Sequence, residues 1–441
     1  MKPIEELRKY VFSLPLIDTH EHLPSREELR DRDTDVLKEY LAHYYNRDLI
    51  SAGLPKRDYT AILEKKMPIG EKWRLVEPYW EAARYTGYGR ALDIAARELY
   101  GIDGISGKTI EELEAGFQAS LQPGHFRRVL RDRCRIEKSL LCVETLEEEH
   151  DPLLERSIHC DRELFVPVYI VNPLVHPESW ADVERLERES AVRITSFSSW
   201  LEATEANIAK ACSLSSPILK NSLAYVRSLH YERASRAEAE EAFKAIFASR
   251  HYPEWHQKPI ITGKAFQDYV FHFILEIANR RKLVVQVHTG IQEGSGNLLS
   301  HSNPEALSNL FLEYPDVVFD IFHIGYPFQN ILTVLAKNFP NVCIDMCWAH
   351  IVSPNASVQA LVEWVDTVPL NKISAFGGDY LFVDGVYGHQ VLAREDVAKA
   401  LSIEVEEGLF DLGEACRIAR LLLYENPKRI FRLGELRASA P

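Results

Sequence analysis

Two histidines separated by one residue end the first apolar segment of the chain, and this feature constrains the fold most. The apolar run of residues 11–17 leads through Asp18 and Thr19 into His20-Glu21-His22. Residues i and i+2 of a β-strand point to the same face, so His20 and His22 direct two imidazoles at one point. Imidazole suits zinc and neighbouring divalent transition metals. The pattern therefore predicts a metal site at the end of a first strand.

The composition is that of a globular enzyme or binding protein, and it excludes some partners. Hydrophobic residues make up 46% of the 441 residues, enough for a substantial core. The formal net charge of −14 argues against nucleic acid and anionic membranes as partners, so we expect a small-molecule substrate and leave a homo-oligomer open. The seven cysteines include no Cys-x-x-Cys pair, which favours reduced thiols. With no signal-like start and no run long enough to span a bilayer, we expect a cytoplasmic protein.

Apolar strand-like segments alternate with helical patterns from residue 136 onward. Together with the first strand we count eight strands, each followed by helix, which predicts a parallel sheet closed into a (β/α)₈ TIM barrel. The competing doubly wound sheet would need a glycine-rich loop after the first strand, and residues 18–23 contain no glycine. The predicted barrel comprises residues 1–22 and 135–441.

Residues 23–134 differ in character from the barrel. They are charged, helix-periodic and poor in strand-forming residues, with helices predicted over 26–44, 70–85, 90–100 and 109–119. We expect them to form a large helical insertion after strand one that covers the barrel mouth.

Polar residues mark the ends of the predicted strands, where TIM barrels carry their chemistry. Strands that converge on one axis can bring together residues more than 350 positions apart. Each residue has a structural alternative, such as a helix cap for Asp379 or a buried ion pair for Lys220. The candidates are His20, His22, Lys220, His288, His323 and Asp379.

These segments resemble the amidohydrolase superfamily of metal-dependent barrels. The similarity lies in residues 18–22, 286–290, 302–304, 314–327 and 378–379, and is closest to the branch with uronate isomerases, decarboxylases and glutamine-synthetase-associated hydrolases. The resemblance implies that His20, His22 and Asp379 hold the metal, with His288 as a further ligand or neighbour. It also implies that His323 polarises a carbonyl or transfers a proton, and that Asp379 is catalytic as a proton shuttle. Binuclear relatives use a carboxylated lysine on strand four, but the sequence around Lys220 differs from theirs, so one metal is expected.

Three reactions fit these residues. The first is hydrolysis of an amide or related bond of a small carboxylated substrate, since a divalent metal lowers the pKa of bound water and a carboxylate can accept its proton. The alternatives are uronate isomerisation and nonoxidative decarboxylation; a non-catalytic barrel is a fourth hypothesis. Zinc is the expected metal, with manganese, iron or nickel as alternatives. Lys220, Arg227 and Tyr326 are the predicted substrate-binding residues.

Overall fold

Eight parallel strands form one sheet whose order in space is their order in the chain. The computed structural model describes residues 3–64, 67–148, 156–248, 260, 262–294 and 296–435. The predicted TIM barrel is confirmed. The strands are β1 (Leu16–Glu21), β2 (Ile136–Val143), β3 (Phe165–Ile170), β4 (Ile218–Asn221), β5 (Val284–Val287), β6 (Val318–Ile321), β7 (Val342–Asp345) and β8 (Ile373–Ser374).

Helices precede, connect and follow these strands. Within the described residues, no helix combines the length and the apolar character needed to cross a lipid bilayer. The helices are α1 (Pro3–Ser13), α2 (Val36–Leu41), α3 (Tyr45–Ser51), α4 (Lys56–Leu63), α5 (Ile69–Ala83), α6 (Gly87–Tyr100), α7 (Ile110–Ser120), α8 (Asn172–Val175), α9 (Trp180–Ser190), α10 (Phe197–Ser213), α11 (Arg236–Ala248), α12 (Lys264–Arg281), α13 (Ser308–Glu313), α14 (Gln329–Asn338), α15 (Ala349–Val352), α16 (Pro354–Thr367), α17 (Val383–Glu406), α18 (Leu412–Arg420) and α19 (Asn426–Ile430).

The structure differs most from the predicted helix over residues 26–44 and from the continuous helical pattern of residues 183–206. Helix α2 starts only at Val36, because the Asp35 side chain accepts a hydrogen bond from the backbone of Lys38 and caps the helix there. The second stretch contains two helices, α9 and α10. Helix α9 ends at Ser190, because the next residue, Ala191, has a left-handed φ of 58°, and a capping box at Ser196 starts α10.

The barrel interior has an apolar floor. Three strand residues pack there against Ile430, the last residue of α19, and Phe431, which follows it. They are Ile218 of β4, Val284 of β5 and Cys343 of β7. These strand residues lie at the beginnings of their strands, so α19 and the residues after it close the N-terminal end. The carboxyl-terminal end is left for polar side chains, as in other TIM barrels.

The barrel closes between its first and last strands, beyond the two residues of β8. The Thr19 N–H donates to the Phe376 carbonyl at 3.1 Å, and the Asp379 N–H donates to the His20 carbonyl at 2.8 Å. The His22 N–H donates to the Tyr380 carbonyl at 3.2 Å. This seam brings the end of β1 against the segment after β8, although more than 350 residues separate them.

The α-helices described between β1 and β2, α2 to α7, contact the rest of the chain chiefly through the pairing of α6 with α17. Helix α6 packs against α17, and the Tyr40 and Tyr100 hydroxyls both donate to the buried Asp384 carboxylate of α17. These contacts attach residues 23–134 to α17, near the C-terminal end of the described sequence. That they form a cover over the mouth stays a prediction.

The closest approach between α6 and α17 occurs at Gly388 and gives a stability prediction. A Cβ at Gly388 would lie 1.9 Å from the carbonyl oxygen of Ala91. Gly388→Ala should therefore force the helices apart and lower the free energy of unfolding by about 1–3 kcal/mol. Chemical denaturation measures this. Gly413→Ala is the control, since its added methyl group would lie at the exposed start of α18, 3.3 Å from the Asp411 carboxylate; equal stabilities for the two variants would contradict the prediction.

Candidate metal centre

Three predicted ligands meet at the seam between β1 and β8. The Nε2 atoms of His20 and His22 lie 3.1 Å apart. One carboxylate oxygen of Asp379, Oδ1, lies 3.2 Å from His20 Nε2 and 3.3 Å from His22 Nε2. His20 and Asp379 are buried, and His22 is partly exposed toward a cavity. The structure thus brings two nitrogens and one oxygen within contact of each other.

An irregularity in β1 turns the two histidines toward this point. Between Asp18 and Glu21 the strand advances three residues while its partner β2 advances two, from Ser139 to Leu141. The extra residue is a β-bulge, and bulges re-aim side chains near sites. Asp18 and Glu21 then hold the seam, because their carboxylates accept the backbone N–H groups of Gly378 and Tyr380.

The segment after β8 has a backbone that few residue types could adopt. A Cβ at Gly378 would lie 1.8 Å from Glu21 Oε1, so only glycine fits beside that carboxylate. The next residue, Asp379, has a left-handed φ of 58°. His323 after β6 and Trp348 after β7 are also left-handed, with φ of 65° and 62°. Such strained positions cluster at functional sites, and three adjacent strand ends carry one here.

The triad of His20, His22 and Asp379 fits a divalent metal. Ligands about 2.1 Å from a metal ion are separated by about 3.0–3.4 Å in octahedral or tetrahedral coordination. The three observed separations, from 3.1 to 3.3 Å, fall in that range. The Asp379 oxygen can only accept, and the two nitrogens face it and each other. A cation at their centre would satisfy all three.

His288 and His323 form a second pair beside the triad. His323 Nε2 is 3.0 Å from His288 Nδ1, and it lies 3.9 Å from Asp379 Oδ2. The outer nitrogens point at carbonyl oxygens, His323 Nδ1 at Cys347 and His288 Nε2 at Ile291. A carbonyl oxygen only accepts, so in two neutral rings both protons lie on the outer nitrogens. The inner nitrogens then present two lone pairs that can accept a proton or bind a cation.

Burial keeps the imidazoles of His20, His288 and His323 neutral. Burial, followed by the charge of Lys220, lowers the pKa of His20 well below its ordinary value and that of His288 to about 3. Burial and the neighbouring His288 lower the pKa of His323 in the same direction. Burial raises the pKa of Asp379, but the adjacent His20 and His22 outweigh it and hold that pKa well below its usual range. Neutral imidazoles and an ionised carboxylate are the forms that bind metals.

Of the three predicted substrate-binding residues, the structure brings Lys220 to the site. Its Nζ is buried on β4, has no hydrogen-bond partner among the described residues, and lies 3.6 Å from the centre of the Phe322 ring. Arg227 does not reach the cavity, because its guanidinium donates to Asp268 at 2.6 Å and to Gln267 at 3.0 Å. Tyr326 does not line the cavity either.

The triad opens into a cavity of about 330 Å³. Several of its walls were not predicted from the sequence. His43 and Tyr44 come from the turn between α2 and α3, and the Tyr44 hydroxyl donates to the Asp379 carbonyl at 2.6 Å. Cys142 of β2 places its sulfur 3.4 Å from His20 Nδ1. The described lining residues are His20, His22, His43, Tyr44, Cys142, Glu144, Ile170, Lys220, Ser222, Tyr225, His288, Glu293, Asp379 and Leu381.

Comparison with known structures supports the fold over the full chain. Glucuronate isomerase from Caulobacter crescentus has a TM-score of 0.77 at 20% identity, covering 98% of this chain and 94% of that one. Uronate isomerase from Thermotoga maritima has a TM-score of 0.78 at 15% identity, covering 97% of each chain. A protein from Lactobacillus casei provisionally named a metal-dependent hydrolase has a TM-score of 0.67 at 17% identity, covering 98% of each. At these identities the likeness is one of fold.

Sequence comparison identifies the family. The protein FluG of Emericella nidulans is 27% identical over 188 residues, which are 41% of this chain. The chain spans only about a fifth, 22%, of that relative's length. The amidohydrolase family's sequence model matches residues 205–433, which is more than half of the chain and includes strands β4 to β8. The chain therefore belongs to the amidohydrolase family.

Proposed function

We propose that the protein is a metal-dependent hydrolase acting on an amide or related bond of a small carboxylated substrate, with water as the nucleophile. The observation that carries this proposal is that the two oxygens of the Asp379 carboxylate face different partners. Its Oδ1 contacts His20 and His22, whereas its Oδ2 faces His323 at 3.9 Å. One oxygen can therefore hold a metal while the other accepts a proton.

The chain's own residues then have distinct roles. His20, His22 and Asp379 would hold a divalent metal, which when bound supplies Lewis acidity and lowers the pKa of water to near 7. Asp379 Oδ2 takes the proton of the attacking water and delivers it to the leaving group. His323, fixed by the Cys347 carbonyl, would accept a proton from the substrate at Nε2, the nitrogen that faces His288 and Asp379. Tyr44 keeps Asp379 in place through its backbone carbonyl.

Lys220 is suited to bind the substrate carboxylate. Its ammonium lines the cavity, is buried, and lacks a hydrogen-bond partner among the described residues. A hydrogen bond between charged groups contributes about 1.5–3 kcal/mol. With its carboxylate bound at Lys220, the rest of the substrate would extend across the cavity toward His288 and Tyr225, which line the same cavity.

Lys220→Met should raise KM for a carboxylated substrate by about 10- to 100-fold, with a smaller effect on kcat, because the lost interaction is present in both the bound substrate and the transition state. Steady-state kinetics on the carboxylate and on its methyl ester measure this. Lys372→Met is the matched control: this buried lysine donates to the Ala336 and Phe339 carbonyls outside the cavity. An unchanged KM for Lys220→Met would remove Lys220 from substrate binding.

Uronate isomerisation is the second candidate function. It is favoured by the full-length structural match to two uronate isomerases, which includes the residues between β1 and β2. A uronate is also a small carboxylated molecule, so Lys220 would serve both reactions. In this case Asp379 and His323 would move protons between neighbouring sugar carbons, and no bond to water would form.

One experiment separates the two functions. The metal-loaded protein is incubated in ¹⁸O-labelled water with a panel of N-acyl amino acids and related amides, and in parallel with a panel of uronates. Hydrolysis predicts one ¹⁸O in the product carboxylate, detected by mass spectrometry. Formation of a ketose from a uronate, with no hydrolysis of the amides, would replace the proposed function by isomerisation.

A further inference from the structure

A second polar region lies inside the barrel, on strands β5 to β8. Gln286 of β5 is directly paired with Asp320 of β6, and Asp345 of β7 is directly paired with Ser374 of β8. Asp320 is paired with Cys343, two residues before Asp345, so all four share one face. That face is the interior, because Cys343 packs in the apolar floor. We call Gln286, Asp320, Asp345 and Ser374 the interior oxygen layer.

Each member of the interior oxygen layer has a buried oxygen without a hydrogen-bond partner among the described residues. The atoms are Gln286 Oε1, Asp320 Oδ1, Asp345 Oδ2 and Ser374 Oγ, all on fully buried residues. The amide of Gln286 is oriented by its nitrogen, which donates to the Thr19 carbonyl and to Asp320 Oδ2, both at 3.1 Å. An unsatisfied buried polar group costs about 1–3 kcal/mol, and more when it is charged. Four on neighbouring strands therefore indicate a common ligand.

The composition and charge of this layer define the ligand. All four free atoms are oxygens, and oxygen ligands suit hard cations such as alkali and alkaline-earth ions. Asp320 and Asp345 bring two negative charges, and the buried ammonium of Lys220, paired with Gln286 on β4, brings one positive charge. When no substrate carboxylate is bound to Lys220, the remaining charge is −1, which one monovalent cation neutralises. Burial raises the pKa of both carboxyl groups, to about 7 for Asp320, so without a counter-charge the pair would tend to hold a proton instead.

We propose that the interior oxygen layer binds one monovalent cation, Na⁺ or K⁺, inside the barrel and apart from the candidate metal centre. The two sites differ in chemistry, since the centre at the seam offers imidazole nitrogens and this layer offers oxygens alone. The cation ties β5–β6 to β7–β8 beneath the site. This inference does not depend on the proposed function.

The direct test is crystallographic. Crystals of the full chain are grown in rubidium chloride, a scattering analogue of potassium, and in tetramethylammonium chloride at equal ionic strength. An anomalous rubidium peak within coordination distance of the Asp320 and Asp345 carboxylates is expected. A fully occupied water at that place, with no anomalous signal, would overturn the proposal.

The solution test is thermal stability. The Tm of the parent should be higher by roughly 2 °C or more in KCl or NaCl than in tetramethylammonium chloride at equal ionic strength, because a ligand of the folded state alone stabilises it. Asp320→Asn and Ser374→Ala should abolish this difference; the serine change is mild enough to keep the fold if the first variant is unstable. Thr204→Val, which removes an unpartnered buried hydroxyl on α10, is the control and should keep the difference. An identical parent Tm in all three salts would show a layer held by protons or water instead.

Discussion

Asp379→Asn, fully loaded with metal, is expected to turn over about 10²- to 10⁴-fold more slowly than the parent, the usual contribution of a positioned general base. Asparagine keeps the shape, and its amide oxygen can still face His20 and His22, from which Asp379 Oδ1 lies 3.2 and 3.3 Å. It cannot accept a proton at the position of Oδ2. The loss should therefore appear in kcat, measured after metal content has been matched to the parent.

His323→Asn is the comparison variant for this result. It removes the ring that faces Asp379 Oδ2 and contacts His288, but leaves the three atoms of the triad in place. Metal content should stay at the parent value while turnover falls. If metallated Asp379→Asn worked at near the parent rate, Asp379 would be a structural residue of the seam, and the proposed proton transfer would be wrong.

The double change His20→Ala and His22→Ala is expected to abolish stoichiometric metal binding. The parent should carry about one divalent ion per chain, because His20, His22 and Asp379 place three ligand atoms at mutual distances that suit a metal. Elemental analysis by inductively coupled plasma mass spectrometry measures both proteins after dialysis against trace metal. His350→Ala is a control for the loss of a buried imidazole, since His350 contacts Asp396 and the Ala375 carbonyl instead. Full metal content in the double variant would rule out the triad.

The barrel could be predicted from sequence because its strands are short apolar runs at regular intervals. The proximity of His20, His22 and Asp379 followed from that fold, since residues at the carboxyl ends of parallel strands converge on one axis. Sequence periodicity did not reveal the cavity walls His43 and Tyr44, which lie at a turn between two short helices. Arg227 forms an ion pair with Asp268 of α12 and is therefore not free to bind a substrate. The sequence pattern of α12 does not predict this contact.

The interior oxygen layer could not be predicted from the sequence for a different reason. Gln286 and Asp320 sit in the middle of apolar strands, where a polar residue looks like an interruption of the pattern. Only the register between strands shows that such residues are neighbours on one face. The sequence pattern likewise does not predict the role of Glu21, which lies between the two histidines and holds the seam through its contact with the Tyr380 backbone.

The seam between the first and last strands gives the site a dependence on the whole chain. Residues 20 and 22 are synthesised more than 350 residues ahead of Asp379, so the ligand set stays incomplete until every intervening strand has found its place. A divalent ion bound across this junction would link the first and last parts of the barrel after the barrel has closed. Metal uptake would then report completed assembly, and a chain released before residue 379 would have no binding site even with most of its barrel present.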